Sequence, residues 1–172
     1  MLEARAACDL FDITVEQVTL EISEIQSHDP LAIIIRKAAD AFGQTKQPIV
    51  VADTFWNIPA LHGFPGGYMK DVAQWFGPQD FIAVLAAKQD KRISFTESIM
   101  YKDAQQTKNF SRVYWGKMAD QPRGATGNAW DKVAEFNGRT FAEGRDMCQT
   151  SHDPKDYVWY EFARWFSDIS QV

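Results

Sequence analysis

Two spacings of apolar residues alternate along this chain, and they predict an alternation of helices and strands. Apolar residues at helical spacing occur in "MLEARAACDLF", "HDPLAIIIRKAADAFG", "YMKDVAQWF", "PQDFIAVLAAK" and "DPKDYVWYEFARWFSDI". Extended or alternating runs, which predict strands, occur in "ITVEQVTLEI", "QPIVVAD", "RISFTESIMYKD" and "KNFSRVYWGKMA". This order predicts an α/β fold in which a mixed, twisted central sheet is flanked by helices, within one domain spanning residues 1–172.

Capping residues and runs of apolar residues predict the ends and the buried faces of several of these helices and strands. Asp29 is the predicted N-cap of the second helix, Pro30 lies in its first turn, and Gly43 is predicted to close it. The wholly apolar run in "QPIVVAD" is typical of a buried parallel strand. The first helix is predicted to present one apolar face, formed by Leu2, Ala6, Leu10 and Phe11.

Composition and charge narrow the class of protein. The chain has 172 residues, 45% of them hydrophobic, which suits a globular domain with a core. A net charge of -5 argues against general nucleic-acid binding, although a local cluster of Lys or Arg could still hold phosphate. The two cysteines, Cys8 and Cys148, match no metal-binding spacing. No apolar run is of membrane-spanning length and no signal-peptide pattern is present, so we expect a cytoplasmic protein with no membrane partner.

The first candidate for chemistry is a carboxylate at the predicted end of a strand. Asp53 follows "PIVVA", and ligands of open α/β sheets bind beyond the carboxyl ends of strands. A buried carboxylate needs a cation or donors, and Mg²⁺ prefers hard oxygen ligands. Glu24 is a second candidate ligand, with Glu21 as its rival. The alternative is that Asp53 is an N-cap or a turn acid.

Cations follow in a glycine-rich loop and on a helix. In "HGFPGGYMK", glycines permit close backbone approach to an anion, and Lys70 could neutralise a phosphate. The alternative is that the loop only makes a turn. Lys37 lies beside Arg36 on a helix face, and taken alone this position favours a solvated surface lysine.

A second glycine-rich loop, "PRGATGNAWDKV", carries Trp130 and Asp131. An exposed Trp-Asp pair could stack on a base and accept hydrogen bonds from its N–H groups. The alternative is that Trp130 belongs to the core and Asp131 caps a turn.

The order of these motifs resembles the inosine triphosphate pyrophosphatase family. The resemblance rests on "EISEIQ", "IRKAADAF", "PIVVADT", "ALHGFPGGYMK", "PRG", "WD" and "TFAE", and "VADTFWNIPALHGFPGGYMK" is its sharpest segment. The resemblance implies an inosine triphosphatase-like fold and a homodimer. It also implies a house-cleaning hydrolase, acting on acid anhydrides, that splits non-canonical purine nucleoside triphosphates into monophosphate and pyrophosphate.

The resemblance also implies roles for single residues. Glu24 falls on the family's metal-binding Glu, and Asp53 on the catalytic acid that holds metal and helps to activate water. Lys37 and Lys70 fall on lysines that contact phosphate. The implied cofactor is Mg²⁺, with Mn²⁺ as an alternative.

The base-binding residues carry over in the same way. Trp130 and Asp131 match a Trp-Asp pair that lines the base pocket. Lys155 matches the lysine that begins the family's Lys-Asn-x-x-Ser-His-Arg signature, and we expect it to bind substrate.

Several departures from the family pattern bear on activity. The family's first strand and its Thr/Ser-x-Asn-x-x-Lys loop are absent before "MLEAR", and the first acid of the acidic pair is Ala52. The aromatic-Gly before Trp-Asp is Asn128-Ala129, and the Ser-His-Arg that reads the purine is Trp159-Tyr160-Glu161. Without that strand, we expect "ITVEQVTLEI" to move inward or a partner chain to supply a strand, because an exposed edge favours aggregation.

These features favour a metal-dependent nucleoside triphosphate pyrophosphatase with altered or weakened base specificity. The alternative is a catalytically impaired relative that serves as a nucleotide-binding or assembly module. Hydrolysis of another nucleotide-like phosphate is a more distant third function.

Overall fold

The computed structural model describes residues 2–22, 25, 27–147 and 153–170. Within them, the helices are α1 (Leu2–Cys8), α2 (Pro30–Thr45), α3 (Met69–Trp75), α4 (Pro78–Val84), α5 (Phe141–Asp146) and α6 (Val158–Ser170). The strands are β1 (Ile49–Ile58), β2 (Phe64–Gly66), β3 (Arg92–Lys102), β4 (Thr107–Met118), β5 (Ala134–Phe136) and β6 (Arg139–Thr140). The α/β class is confirmed. In the described part of the chain, no helix combines the length and the apolar character needed to cross a bilayer.

The strands form one sheet in the order β2-β1-β3-β4-β5-β6. Antiparallel pairs join β1 to β2, β4 to β5 and β5 to β6, and the short turn between β3 and β4 makes them an antiparallel hairpin. The sheet is therefore antiparallel, where the sequence predicts a mixed one. The apolar run of β1 is typical of a parallel strand, but such a run arises from burial of both faces of a strand and does not depend on strand direction. Both faces of β1 are covered, which explains the run.

The chain divides into two compact units. The first unit comprises residues 1–54, 97–112 and 152–172, and the second comprises residues 55–96 and 113–151. Strands β1, β3 and β4 contribute residues to both units. The single domain over 1–172 stays a prediction.

In the first unit, the start of β1 has apolar neighbours on both faces. Val50 and Ala52 pack against a cluster that contains Cys8 and residues of α6. Ile49 and Val51 point the other way and pack against Ile34 and Ala38 of α2 together with Met100. This alternation is the period-two pattern of a strand covered on both faces.

Helix α1 forms as predicted but buries a different face. Its buried residues are Ala4, Ala7 and Cys8, whereas Leu2 is 74% exposed and Leu10 is 53% exposed. The helix packs against α6, which carries large aromatic side chains. Small residues at this face fit closely against those rings, so volume decides the orientation of the helix more than hydrophobicity does.

The predicted strand in "ITVEQVTLEI" is not formed. Residues 13–22 are irregular, although Ile13 and Val15 pack against the same apolar cluster as Val50 and Ala52. Among the described residues, β1 has β2 as its only neighbour on one side, and β2 pairs only with Trp56–Ile58. A β-branched run becomes a strand only where a partner edge accepts its hydrogen bonds. The expected inward shift is therefore wrong, while pairing with a second chain stays a prediction.

The core of the second unit is aromatic. Trp56 lies with its ring centroid 4.9 Å from that of Trp130 and 4.9 Å from that of Phe95. Phe95 in turn stacks on Tyr114 at 4.7 Å. Trp56 is thereby buried, whereas Trp75 at the end of α3 is 76% exposed.

The N-cap of α2 allows a test of local stability. The Asp29 carboxylate accepts a hydrogen bond of 2.9 Å from the backbone N–H of Leu31, and Pro30 occupies the first turn. We expect Asp29→Ala to lower the free energy of unfolding by about 1 kcal/mol, because a helix N–H loses its acceptor. Urea denaturation measures the change. Asp29→Asn, which keeps a capping oxygen, serves as the control, and an equal loss in both variants would contradict the capping role.

Candidate functional site

In the first unit, a carboxylate and an ammonium group meet between β1 and α2. The Lys37 Nζ lies 3.4 Å from Oδ1 of Asp53, and the side chains are 20% and 28% exposed. Asp53 shares its strand face with Ile49 and Val51, which pack on α2, so the alternation of β1 directs it toward the helix that carries Lys37. Lys37 is therefore not a fully solvated surface lysine.

Asp53 lies in the middle of its strand and not at the end. Strand β1 continues to Ile58 because Trp56 and Ile58 are buried and extend the alternating pattern. The alternatives of an N-cap or a turn acid are thereby wrong. A carboxylate in mid-strand has a fixed direction, which suits a group that must hold a ligand in one geometry.

The oxygen, nitrogen and sulfur ligands available near Asp53 decide whether this site can bind a metal ion. Within the described ranges, no group of three or more His, Cys, Asp or Glu side chains is arranged to hold a metal ion. Glu24 lies outside the described residues, while Glu21 accepts a hydrogen bond from Gln44 at its backbone oxygen. Mg²⁺ usually binds through one or two carboxylates together with phosphates of the substrate, so the hard oxygens of Asp53 fit it.

The "HGFPGGYMK" loop is partly used for strand pairing. Phe64, Pro65 and Gly66 form β2 and pair with β1, so this stretch of backbone serves the sheet. Gly66 has φ +62°, and an added Cβ there would lie 3.1 Å from the Phe55 ring. The backbone cradle for an anion stays a prediction. Lys70, at the start of α3, is exposed.

Lys155 lies in a 3₁₀ turn spanning Pro154–Asp156 in the first unit. Its side chain is exposed, and its backbone N–H donates a 2.9 Å hydrogen bond to Asp153. The substrate-binding role of Lys155 stays a prediction.

Trp130 is a core residue and not an exposed stacking platform. It is 2% exposed, and its ring centroid lies 4.9 Å from those of both Trp56 and Phe81. Its Nε1 is buried without an acceptor among the described residues. The indole would have to leave the core to stack on a base, so the core alternative is correct.

Asp131 does cap a turn, and it also forms an ion pair. Its Oδ2 accepts a 2.8 Å hydrogen bond from the backbone N–H of Asn128, while its own N–H donates to the Asn128 side chain at 3.1 Å. Nη1 of Arg145 binds the same Oδ2. The Asp131 side chain is 8% exposed, and Arg145 compensates its buried charge.

Residues of β5, β6 and α5 hold the loop from Arg123 to Asp131, which we call the 123–131 loop. Arg123 donates to Glu143 at 3.1 Å and to Glu135 at 2.9 Å. Asp146 accepts from the backbone N–H groups of Ala125 and Thr126 at 2.7 and 3.0 Å. These bonds tie the loop to α5 and β5.

The carboxylates of this network have lowered pKa values. The pKa of Glu143 is lowered first by the backbone N–H of Thr140 and then by Arg123. For Glu135, burial raises the pKa, but the hydrogen bonds from Arg123 and Lys117 together outweigh it, so the pKa is lowered. The network is therefore stable in its ionised form at neutral pH.

At Gly124 the 123–131 loop lies directly against the backbone of α5. This glycine has φ +84°, and an added Cβ would lie 2.6 Å from the backbone N of Glu143. Because backbone atoms cannot move aside as a side chain does, only glycine fits here.

Known proteins of similar sequence show which family this chain belongs to. Residues 2–153 match the Ham1 family. The chain belongs to the Ham1 family. This confirms the resemblance inferred from the motifs.

Two relatives carry names that describe an activity. A dITP/XTP pyrophosphatase of Methanopyrus kandleri is 29% identical over 174 residues, with 96% of this chain and 90% of the relative covered. Inosine triphosphate pyrophosphatase 1 of Trypanosoma cruzi is 34% identical over 153 residues, with 87% of this chain and 78% of the relative covered.

Solved Ham1 structures share the fold. A HAM1 protein from Coxiella burnetii matches with a TM-score of 0.65 at 22% identity, covering 95% of this chain and 84% of that one. The Staphylococcus aureus Ham1 protein matches with a TM-score of 0.64 at 20% identity, covering 88% and 81%.

In this Ham1-family chain, Glu161 has a structural partner. It stands where the resemblance places the purine-reading Arg, and its Oε1 lies 2.7 Å from Nη2 of Arg112 on β4. Arg112 also donates to the backbone oxygen of Asp156. The negative charge of Glu161 is thus compensated, so it repels an anionic ligand less than the sequence alone suggests.

Sequence reasoning missed the residues that hold the 123–131 loop. "TFAEG" reads only as a short apolar piece, yet α5 begins with a capping box in which Thr140 and Glu143 bond reciprocally. The Thr-x-x-Glu spacing is the signal that could have shown it. No comparable signal identifies Arg145, because its partner Asp131 lies 14 positions away.

Acidification tests the Glu143 network. A lowered pKa adds stability above the unfolded value of about 4.5, and this stability is lost as the pH falls through the folded value. We expect Glu143→Gln to reduce the free energy of unfolding at pH 7 by about 1 kcal/mol, since it weakens a cap, and to reduce the further loss below pH 4.5. Urea denaturation at several pH values measures both. An identical pH dependence in variant and wild type would show that Glu143 does not contribute.

Proposed function

We propose that this protein is a nucleoside triphosphate pyrophosphatase acting on non-canonical purine nucleotides. The observation that carries the proposal is the Asp53–Lys37 pair, held between β1 and α2 in a chain of the Ham1 family. The names of the relatives, dITP/XTP pyrophosphatase and inosine triphosphate pyrophosphatase, support the substrate class. The reaction cleaves the anhydride between the first and second phosphates and yields a monophosphate and pyrophosphate.

In the first unit, the chemistry divides between Asp53 and Lys37. The Asp53 carboxylate accepts a hydrogen bond from the attacking water, orients it and takes up its proton. Lys37, whose Nζ lies 3.4 Å from Oδ1 of Asp53, pairs with that carboxylate and contacts phosphate oxygens. Mg²⁺ or Mn²⁺, held by Asp53 and by Glu24 as the resemblance implies, would neutralise charge on the phosphates.

Further cations are assigned to the phosphates by the resemblance. Lys70 and Lys155 are both exposed, and an exposed lysine can approach an anionic ligand without first losing a buried environment. We assign both to substrate binding.

Base recognition is assigned to Asp131 and the 123–131 loop. Trp130 supports this loop from within the core and contributes no exposed ring. Because Glu161 stands in place of the signature's Arg and an ionised carboxylate cannot donate hydrogen bonds, we propose that base selectivity is weaker than in an enzyme with Ser-His-Arg.

An impaired relative that only binds nucleotide remains the alternative function. One observation favours it: Lys37 already occupies Oδ1 of Asp53, one of the two oxygens available to a metal. A homodimer and a cytoplasmic location stay predictions.

Pyrophosphate release tests the activity directly. We expect the wild-type protein to release pyrophosphate from inosine triphosphate only with Mg²⁺ or Mn²⁺. We expect Asp53→Asn to lower kcat by about 10²-fold or more, because the variant cannot accept the proton. Asp12→Asn is the matched control, since Asp12 is exposed with φ 56°, a conformation that Asn tolerates. Activity that survives Asp53→Asn or ignores chelator would contradict these roles, and nucleotide binding without hydrolysis would favour the alternative.

Base selectivity provides a second test. We expect kcat/KM for inosine and xanthosine triphosphates to exceed that for adenosine triphosphate by less than about 100-fold, since the Arg of the signature is replaced by Glu161. Steady-state pyrophosphate assays give the ratio. A larger ratio would show that other residues supply the full selectivity of the family.

A further inference from the structure

A serine of β3 faces the candidate catalytic carboxylate across the sheet. Strands β1 and β3 are antiparallel neighbours, and Nδ2 of Asn57 on β1 donates a 3.1 Å hydrogen bond to Oγ of Ser94 on β3. Four residues back along β1 lies Asp53, and four residues forward along β3 lies Ser98. Because facing residues of antiparallel strands step in opposite directions along the chain, Ser98 is the cross-strand neighbour of Asp53.

Packing within the first unit agrees with this register. Val51, two residues before Asp53, and Met100, two residues after Ser98, both pack beside α2 in one cluster. Side chains alternate between the two faces of a strand, so Asp53 and Ser98 share the face that carries Lys37. Asp53, Lys37 and Ser98 all belong to the first unit. Directly opposite residues of an antiparallel pair have Cβ atoms about 4.5–5.5 Å apart.

The hydroxyl of Ser98 can bond to a ligand. Ser98 is 7% exposed. Among the described residues, no side-chain hydrogen bond involves this hydroxyl, and Nε1 of Trp130 is the only fully buried side-chain polar atom without a partner. Oγ of Ser98 is therefore not fully buried and lies within reach of water. A hydroxyl packed mostly among protein atoms costs free energy unless a water or a ligand bonds to it.

Asp53 has an oxygen with which it can bind the same ligand. Nζ of Lys37 contacts Oδ1 at 3.4 Å, and Oδ2 has no partner among the residues that the structure describes. With Cβ atoms about 5 Å apart, one water can hydrogen-bond both the serine Oγ and a carboxylate oxygen, at about 2.7–2.8 Å each. Both groups accept hydrogen bonds, so together they can accept both hydrogens of that water.

We propose that Ser98 positions the attacking water by accepting one of its hydrogens while Asp53 accepts the other. The inference rests on the proposed function and adds a residue to that site. With both hydrogens held, a lone pair of the water oxygen is left to attack phosphorus. The new P–O bond forms as the bridging P–O bond breaks, and the leaving pyrophosphate takes the electron pair. Asp53 takes up one proton, the other hydrogen stays on the attacking oxygen, and Ser98 keeps its own proton.

Threonine and valine at position 98 provide the main test. The two side chains have nearly the same shape and both suit a strand, but only threonine has a hydroxyl. We expect kcat for pyrophosphate release from inosine triphosphate to be about tenfold higher in Ser98→Thr than in Ser98→Val, which corresponds to one hydrogen bond. Because the hydroxyl binds the water and not the nucleotide, the two KM values should agree within about twofold.

Ser111→Ala is the matched control. Ser111 lies on β4, one strand beyond Ser98, and is exposed. A strand spacing of about 4.8 Å places it roughly 10 Å from Asp53, too far to share a water with that carboxylate. We therefore expect kcat to be unchanged in Ser111→Ala. Urea denaturation checks that the two variants at position 98 are equally folded.

The outcomes separate this inference from the proposed function. Equal kcat in Ser98→Thr and Ser98→Val, with active wild-type protein, would overturn the role of Ser98 and leave the proposed function intact. A difference confined to KM would show that the hydroxyl binds the nucleotide, and would also overturn the inference. Wild-type protein that releases no pyrophosphate would overturn the proposed function, and the role of Ser98 would fall with it.

A measurement on the unaltered protein covers the case in which neither variant folds. In a crystal structure of wild-type protein that resolves ordered waters, we expect one water within about 3.2 Å of both Oγ of Ser98 and a carboxylate oxygen of Asp53. A direct hydrogen bond between the two side chains, or the lack of a shared water, would contradict the inference.

Discussion

The alternation of side chains along β1 is the constraint on which the rest of the structure depends. Its first half directs Ile49 and Val51 onto α2, and Asp53, two positions further, therefore meets Lys37. Its second half buries Trp56 and Ile58 in the aromatic core of the second unit. A shift of register by one residue would move every side chain to the other face. Core packing in both units and the direction of the candidate catalytic carboxylate are therefore set by one period-two pattern.

The 123–131 loop is built on a different principle. Asp146 and Arg123 hold it through hydrogen bonds to backbone and carboxylates, and Gly124 and Gly127 allow side chains and backbone to approach it. A partly buried ion pair such as Arg123–Glu135 contributes little net stability, but it fixes geometry because an unmet partner is costly. A loop ordered by polar contacts also holds Arg145 in one orientation, against Oδ2 of Asp131.

The expectations that the structure contradicts share one cause. The residue types of a segment do not reveal which other segment will pack or pair with it. The β-branched run at residues 13–22 has strand character, but no described strand accepts it. Leu2 is the more hydrophobic residue, yet Ala4 and Ala7 face α6 because aromatic rings leave little room there. Trp130 has the chemistry of a stacking platform, but its neighbours are Trp56 and Phe81.

The sequence by itself determined the α/β class, most helices and strands, the cap at Asp29 and the family, because these depend on local spacing, capping chemistry and linear motifs. Only the tertiary structure decided that the sheet is antiparallel, that Asp53 lies in mid-strand and that Arg145 holds Asp131. The physical reason is separation along the chain. Helix caps and alternation act over a few residues, whereas strand direction and ion pairs depend on segments that meet only when apolar surfaces are buried together.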